Sequence, residues 1–143
     1  MTQTKSAFSE GGGGLVKVIN KTGAPSVIGT VLTVSSSTDM GVQKIVVDVP
    51  TPIGVIIEKG IPDGGEVWMQ TSGIVDVYFV GSATRGNLAR GFITGDAGYV
   101  AGQALSEAAP VAPFGTDKHF YEIGHVMESR TGAGLARVCL HFN

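Results

Sequence analysis

The chain has 143 residues, of which 22 are glycine, 15% are charged and 43% are hydrophobic, and its formal charge is -2. That length supports one domain with a real core. The near-neutral balance offers no electrostatic footprint for nucleic acid or an anionic membrane surface. The single cysteine, Cys139, excludes an intramolecular disulfide and suits synthesis in a reducing cytosol. No apolar run reaches the length of a membrane span, and the polar start Met1–Ala7 lacks the apolar centre of a signal peptide.

Met1–Gly14 is polar and closes on four consecutive glycines, Gly11–Gly14. Such a stretch cannot bury enough apolar surface to order itself, so a flexible N-terminal arm is expected over residues 1–14, ahead of a β domain over 15–143. Phe8 is the arm's only large apolar side chain; the stretch reads either as a plain disordered terminus or as an arm that orders on a partner, with Phe8 as anchor and the glycines as hinge. The glycines do not read as a phosphate cradle, because no Gly-Lys-Ser/Thr follows and the next element is a strand.

Leu15–Asn20 reads as that strand, followed by a turn over Lys21–Pro25 and a second strand over Val27–Ser35. Asn20-Lys21-Thr22 spells a glycosylation acceptor, but in this setting it reads as part of the turn. Ser35–Asp39 is a polar loop, and Gln43–Val49 is a further strand stopped by Pro50 and Pro52.

A hairpin pattern then appears twice. Ile53–Glu58, a Gly/Pro/Asp loop and Glu66–Gln70 form the first copy; Ile123–Glu128, a Gly-bearing loop and Leu135–Leu140 form the second. Pairing Glu58 with Glu66 places Val55, Ile57, Val67 and Met69 on one apolar face. Pairing Glu128 with Leu135 sets Met127 across from Ala136, His125 across from Val138 and Ile123 across from Leu140. This register makes His125 a packed or axis-facing residue. Gly54 and Gly124 suit a bulge or the close approach of another backbone. Two half-buried hairpins need a shared core, which argues for one compact all-β domain. Between the copies, Ile74–Val80 alternates as a strand, Gly81–Gly91 reads as a loop or one short helical turn, and Phe92–Ala104 alternates weakly. Ser106–Lys118, with Pro110 and Pro113, is irregular and expected to be a surface contact loop.

No reacting constellation emerges from these residues. His119, Glu122 and His125 lack metal-ligand spacing, and on a regular strand Glu122 faces away from both histidines. Cys139 shares a face with Arg137 and has no base beside it, so it reads as an inert thiol. The aspartates have no calcium-loop spacing, and there is neither a Gly-x-Ser-x-Gly nor a His-Glu-x-x-His motif. Trp68 and Tyr78 are ordinary strand aromatics, with packing as their expected role.

Gly91–Tyr99 is loosely similar to the Gly-x-Ile-Asp-x-x-Tyr motif of trimeric dUTP pyrophosphatases. Thr94 stands where that family carries its catalytic aspartate, and the Arg-Ser-Ser motif is absent, so no acid is placed to activate water. A broader resemblance runs through Val16–Asn20, Ile53–Ile56, Gly64–Val77 and Ile123–Val138. In this order the segments resemble the small tailed-phage capsid decoration, or head cement, proteins. The resemblance implies a compact β-barrel-like or β-tulip fold without catalysis, cofactor or metal. It also implies homotrimers seated on the outer surface of the expanded head, bound to the major capsid protein and assembled in the host cytoplasm. Contacts to the capsid are expected from Lys5, Phe8 and Ser9 in the arm and from Pro110, Pro113 and Phe114 in the irregular stretch. The alternative is a virion surface or tail-associated module that recognises a carbohydrate or host receptor.

Overall fold

A computed structural model describes residues 6–8, 13–108 and 117–142. Among them the chain is all-β: β1 (Ser6–Phe8), β2 (Gly14–Asn20), β3 (Val31–Val34), β4 (Gly41–Lys44), β5 (Gly54–Ile56), β6 (Glu66–Gln70), β7 (Ile74–Phe79), β8 (Leu88–Arg90), β9 (Leu105–Glu107), β10 (Glu122–Val126) and β11 (Gly134–Leu140). The helical content is one 3-10 turn, Asp117–Tyr121.

Strands β2, β4, β3, β5 and β6 close into a barrel, because β6 returns to pair antiparallel with β2. Within this pairing Val18 faces Val67 and Val16 faces Met69, while Lys17 and Trp68 point outward. The two outward side chains meet, with the Lys17 ammonium 4.9 Å from the Trp68 ring. Val18, Leu32, Val42, Ile56, Val67 and Met69 fill the interior. The short strand β1 lies against the other edge of β2, with Ser6 paired to Val16 and Phe8 to Gly14.

Strands β7, β11, β10, β8 and β9 form a second, curled sheet in that order. Its two ends approach each other through a parallel bridge between Phe79 and Ala104. The curl encloses Val75, Val77, Phe79, Ala89, Ile123, Val126, Ala136 and Val138, and this core also takes in Val31, Ile45 and Val55 from the barrel side. Barrel and sheet therefore share apolar interior, and each large buried aliphatic or aromatic side chain contributes roughly 1.5–3 kcal/mol. Backbone bonds cross the same junction: Tyr78 donates to Gly29 at 3.0 Å, Val31 to Gly102 at 2.8 Å and Gly102 to Ile45 at 2.8 Å.

Both hairpins form, each in a register one residue away from the expected one. Val55 pairs with Gln70 and Ile56 with Met69, so Ile56 lies inside the barrel while Val55 faces the shared core. Strand β5 is thus buried on both faces, while β6 keeps Glu66 and Trp68 on its outer side. In the second, Gly124 pairs with Leu140, His125 with Cys139 and Val126 with Val138. Val126 and Val138 point inward, while Met127 and His125 are exposed, so His125 is not a packed residue. The loops that close these hairpins are long, and no tight turn pins their register.

Other expected boundaries move as well. Regular pairing begins at Val31 and not at Val27, after a turn in which Gly29 takes φ 90°. Strand β4 ends at Lys44, and Asp48 beyond it takes the left-handed φ of 62°. Within the expected loop 81–91, Leu88–Arg90 is a fully buried strand. The Asn20 turn behaves as read from the sequence. Its carboxamide donates to the Ala24 and Ile61 carbonyls and accepts from the Thr22 backbone and hydroxyl, all within 3.0 Å. With Asn20 wholly buried, no glycan can be attached there.

Candidate functional site

Of the expected capsid-contact residues, Lys5, Ser9, Pro110, Pro113 and Phe114 lie outside the described residues. The Phe8 backbone is the last position of β1, opposite Gly14. Gly13 and Gly14, at the end of the glycine run, sit against the turn after β6: the Gly14 N–H donates to Ser72 Oγ at 2.9 Å, and the Thr71 N–H donates to the Gly14 carbonyl at 2.9 Å.

The described surface carries an apolar depression where barrel and sheet meet. Val27, Thr30 and Lys44 line it from one side, and Tyr78, Val100 and Gln103 from the other. Val27 and Val100 are 54% and 46% exposed, a large fraction for valines that flank the same hollow.

The residues of the dUTP pyrophosphatase-like stretch serve the structure. Arg90 is 1% exposed and is held on every side. It donates through Nη1 and Nη2 to Asp96 at 2.7 and 3.0 Å, through Nε to Glu107 at 2.5 Å and through Nη1 to the Gly91 carbonyl at 2.9 Å. Lys118 adds an ion pair to the other Glu107 oxygen. The Arg90 fork holds the Asp96 carboxyl below its ordinary value against the opposing effect of burial. Burial pushes Glu107 upward, but Lys118 and Arg90 outweigh it and hold that carboxyl low too. Thr94 donates through its hydroxyl and its N–H to Asp48, whose carboxyl is lowered by these bonds. These groups are committed to one another, and the network ties the 92–96 loop to β8 and β9.

The other polar cluster lies on the outer face of β10 and β11. Glu122 and His125 converge there, contrary to the alternation of a regular strand, because β10 carries a bulge. Glu122 pairs with Arg90 but Gly124 pairs with Ala89, so Ile123 is an inserted residue. The insertion turns Ile123 into the core at 0% exposure and leaves Glu122 on the same side as His125. His125 Nε2 lies 3.2 Å from Glu122 Oε1. The third member is His141, just past β11, whose N–H bonds the Ile123 carbonyl and whose Nδ1 is 3.4 Å from the same Glu122 oxygen. The two imidazole rings are stacked with centroids 6.0 Å apart. The Glu122 side chain is 4% exposed, against 56% for His125 and 61% for His141. Two imidazole nitrogens and one buried carboxylate make a donor set, and among the described residues these three are placed to hold a cation. Gly124 marks the bulge in the sequence, but the facing that the bulge gives Glu122, and so this grouping, is not legible there. Cys139 lies on the same face as the cross-strand neighbour of His125, half-buried, and not opposite Gly124 as the sequence register had it.

No family model matches the chain, and no curated protein matches it. Among solved structures, the fold is similar to that of the N base of the head fibre gp8.5 of bacteriophage phi29. The match has a TM-score of 0.56 at 11% sequence identity and covers 89% of this chain and 92% of that one.

Proposed function

We propose that this chain is a non-enzymatic structural protein of a tailed-phage virion, seated as a homotrimer on the outside of the head and bound to the major capsid protein. The observation that carries the reading is the fold shared along nearly the whole of both chains with the base of a phage head fibre. The resemblance of Val16–Asn20, Ile53–Ile56, Gly64–Val77 and Ile123–Val138 to capsid decoration proteins supports the same reading from the sequence.

The mechanism is physical. Head expansion creates sites that span neighbouring capsid subunits, and a trimer in such a site engages several subunits at once. Weak contacts then add through effective concentration. The segment 1–14 is the proposed tether, with Lys5, Phe8 and Ser9 as its contacts. Pro110, Pro113 and Phe114 form a second contact loop, and contacts that reach across neighbouring subunits make attachment depend on the finished lattice. The apolar depression flanked by Val27 and Val100 adds surface of the kind that protein contacts use. Neither nucleic acid nor membrane is a partner in this reading, and assembly takes place in the host cytoplasm.

The neighbour is described as part of a fibre, which favours one second reading: a virion surface module that recognises a carbohydrate or host receptor. Co-sedimentation with phage heads tests the first reading, and light scattering at micromolar concentration tests the trimer. A glycan array tests the second reading, which a blank array would eliminate for carbohydrate.

A further inference from the structure

We infer that Glu122, His125 and His141 form a binding site for a divalent transition-metal ion of the zinc type. The geometry carries this assignment. Bonds of about 2.0–2.1 Å to a tetrahedral zinc place its donor atoms about 3.3–3.4 Å apart. The two separations to the shared Glu122 oxygen, 3.2 Å from His125 and 3.4 Å from His141, match two edges of such a tetrahedron. All three donor atoms lie within 4.8 Å of one another. The remaining edge, between the histidines, closes by rotation of the two rings, which are 56% and 61% exposed.

The chemistry of the donors selects the ion. Two imidazoles and one carboxylate suit zinc, cobalt or nickel, whereas calcium and magnesium require oxygen ligands. Glu122 is the fixed member. It is buried at the β10 bulge, so the carboxylate is held in place before any ion arrives. The histidines come from two different strands' ends, one within β10 and one after β11. An ion bound to both would therefore fasten the residues that follow β11 to β10. The open side of the cluster, above two exposed rings, leaves the fourth position to water.

The consequence is structural and independent of whether the chain binds a phage head. With Ile123 in the core and the His141 N–H on its carbonyl, the site ties the residue after β11 to the bulge of β10.

The test uses the full chain, stripped of metal and titrated with Co2+ and then Zn2+. One equivalent of Co2+ per chain is expected to bind with visible d–d bands of a low-symmetry site, and Zn2+ is expected to displace it and raise the melting temperature. His125→Ala and His141→Ala each alter an exposed side chain, so the fold should be retained, as checked by circular dichroism. Each is expected to weaken binding by about tenfold or more, and the double variant to abolish the cobalt bands. X-ray absorption at the zinc edge of the unmodified chain supplies a readout that needs no variant, with imidazole scattering expected around the ion. Absence of binding at millimolar metal would overturn the assignment. Binding that survives in the folded double variant would overturn it equally.

Discussion

A Cβ atom on Gly124 would stand 2.0 Å from the carbonyl oxygen of Cys139, its neighbour on β11. The obstacle is backbone, and it cannot swing aside as the end of a side chain can. Gly124 is also the residue at which β10 resumes its pairing after the Ile123 bulge. Gly124→Ala is therefore expected to destabilise the chain by about 2–3 kcal/mol. At Gly81 a Cβ meets nothing within 4 Å, and Gly81→Ala should stay within about 0.5 kcal/mol of the parent. Urea denaturation midpoints of the two variants measure the contrast.

Phe79 is wholly buried where the two ends of the curled sheet meet. It belongs to the core that also receives Val31 and Val55. Removing the ring opens a void that backbone bonds on both sides prevent from collapsing. Phe79→Ala is expected to cost about 3–5 kcal/mol. Barrel and sheet should unfold in one transition in both parent and variant, seen as coincident fluorescence and circular dichroism curves.

Asp96 and Glu107 have folded-state pKa values below their ordinary values of 3.8 and 4.5. A lowered acid contributes stability that is present above its unfolded pKa and lost as pH falls through the folded one. The melting temperature should thus hold steady between about pH 7 and 5 and decline below about pH 4. Arg90→Met is expected to lower stability by about 3 kcal/mol at neutral pH, since it strands two carboxylates beside a buried position. The acid decline should become shallower in that variant without vanishing, because the bonds from Thr94 keep Asp48 low.

Removal of residues 1–12 is the test of the proposed tether. The cut leaves Gly13 and Gly14 against the Thr71–Ser72 turn and keeps β2 whole, with only the Ser6–Phe8 strand lost from its edge. Binding to heads should weaken while the melting temperature changes little. Unaltered head affinity would remove the arm from the account.

What was legible in the sequence were the elements whose alternation is strong. Glu66–Gln70 matches β6 at both ends, and Ile74–Phe79 and Gly134–Leu140 fall within a residue of their expected bounds. Gly54 and Gly124 read from the sequence as bulge or close-approach positions; each faces β6 or β11 with no room for a side chain, and Gly124 also closes the β10 bulge. Three features were not legible, each for a physical reason. Strands β8 and β9 have three residues apiece, too few for a period, and Arg90 is buried only because Asp96 and Glu107 come to it from elsewhere in the chain. The hairpin registers depend on long loops without a diagnostic turn. The Glu122–His125–His141 cluster depends on one inserted residue, and a single insertion reverses the facing of everything beyond it.

The central claim, attachment to a phage head, is tested most directly by co-sedimenting the purified chain with undecorated heads of its own phage, before and after expansion. The account predicts saturable binding to expanded heads, little to unexpanded ones, and greater resistance of the decorated heads to heat. Absence of binding to both forms would contradict it.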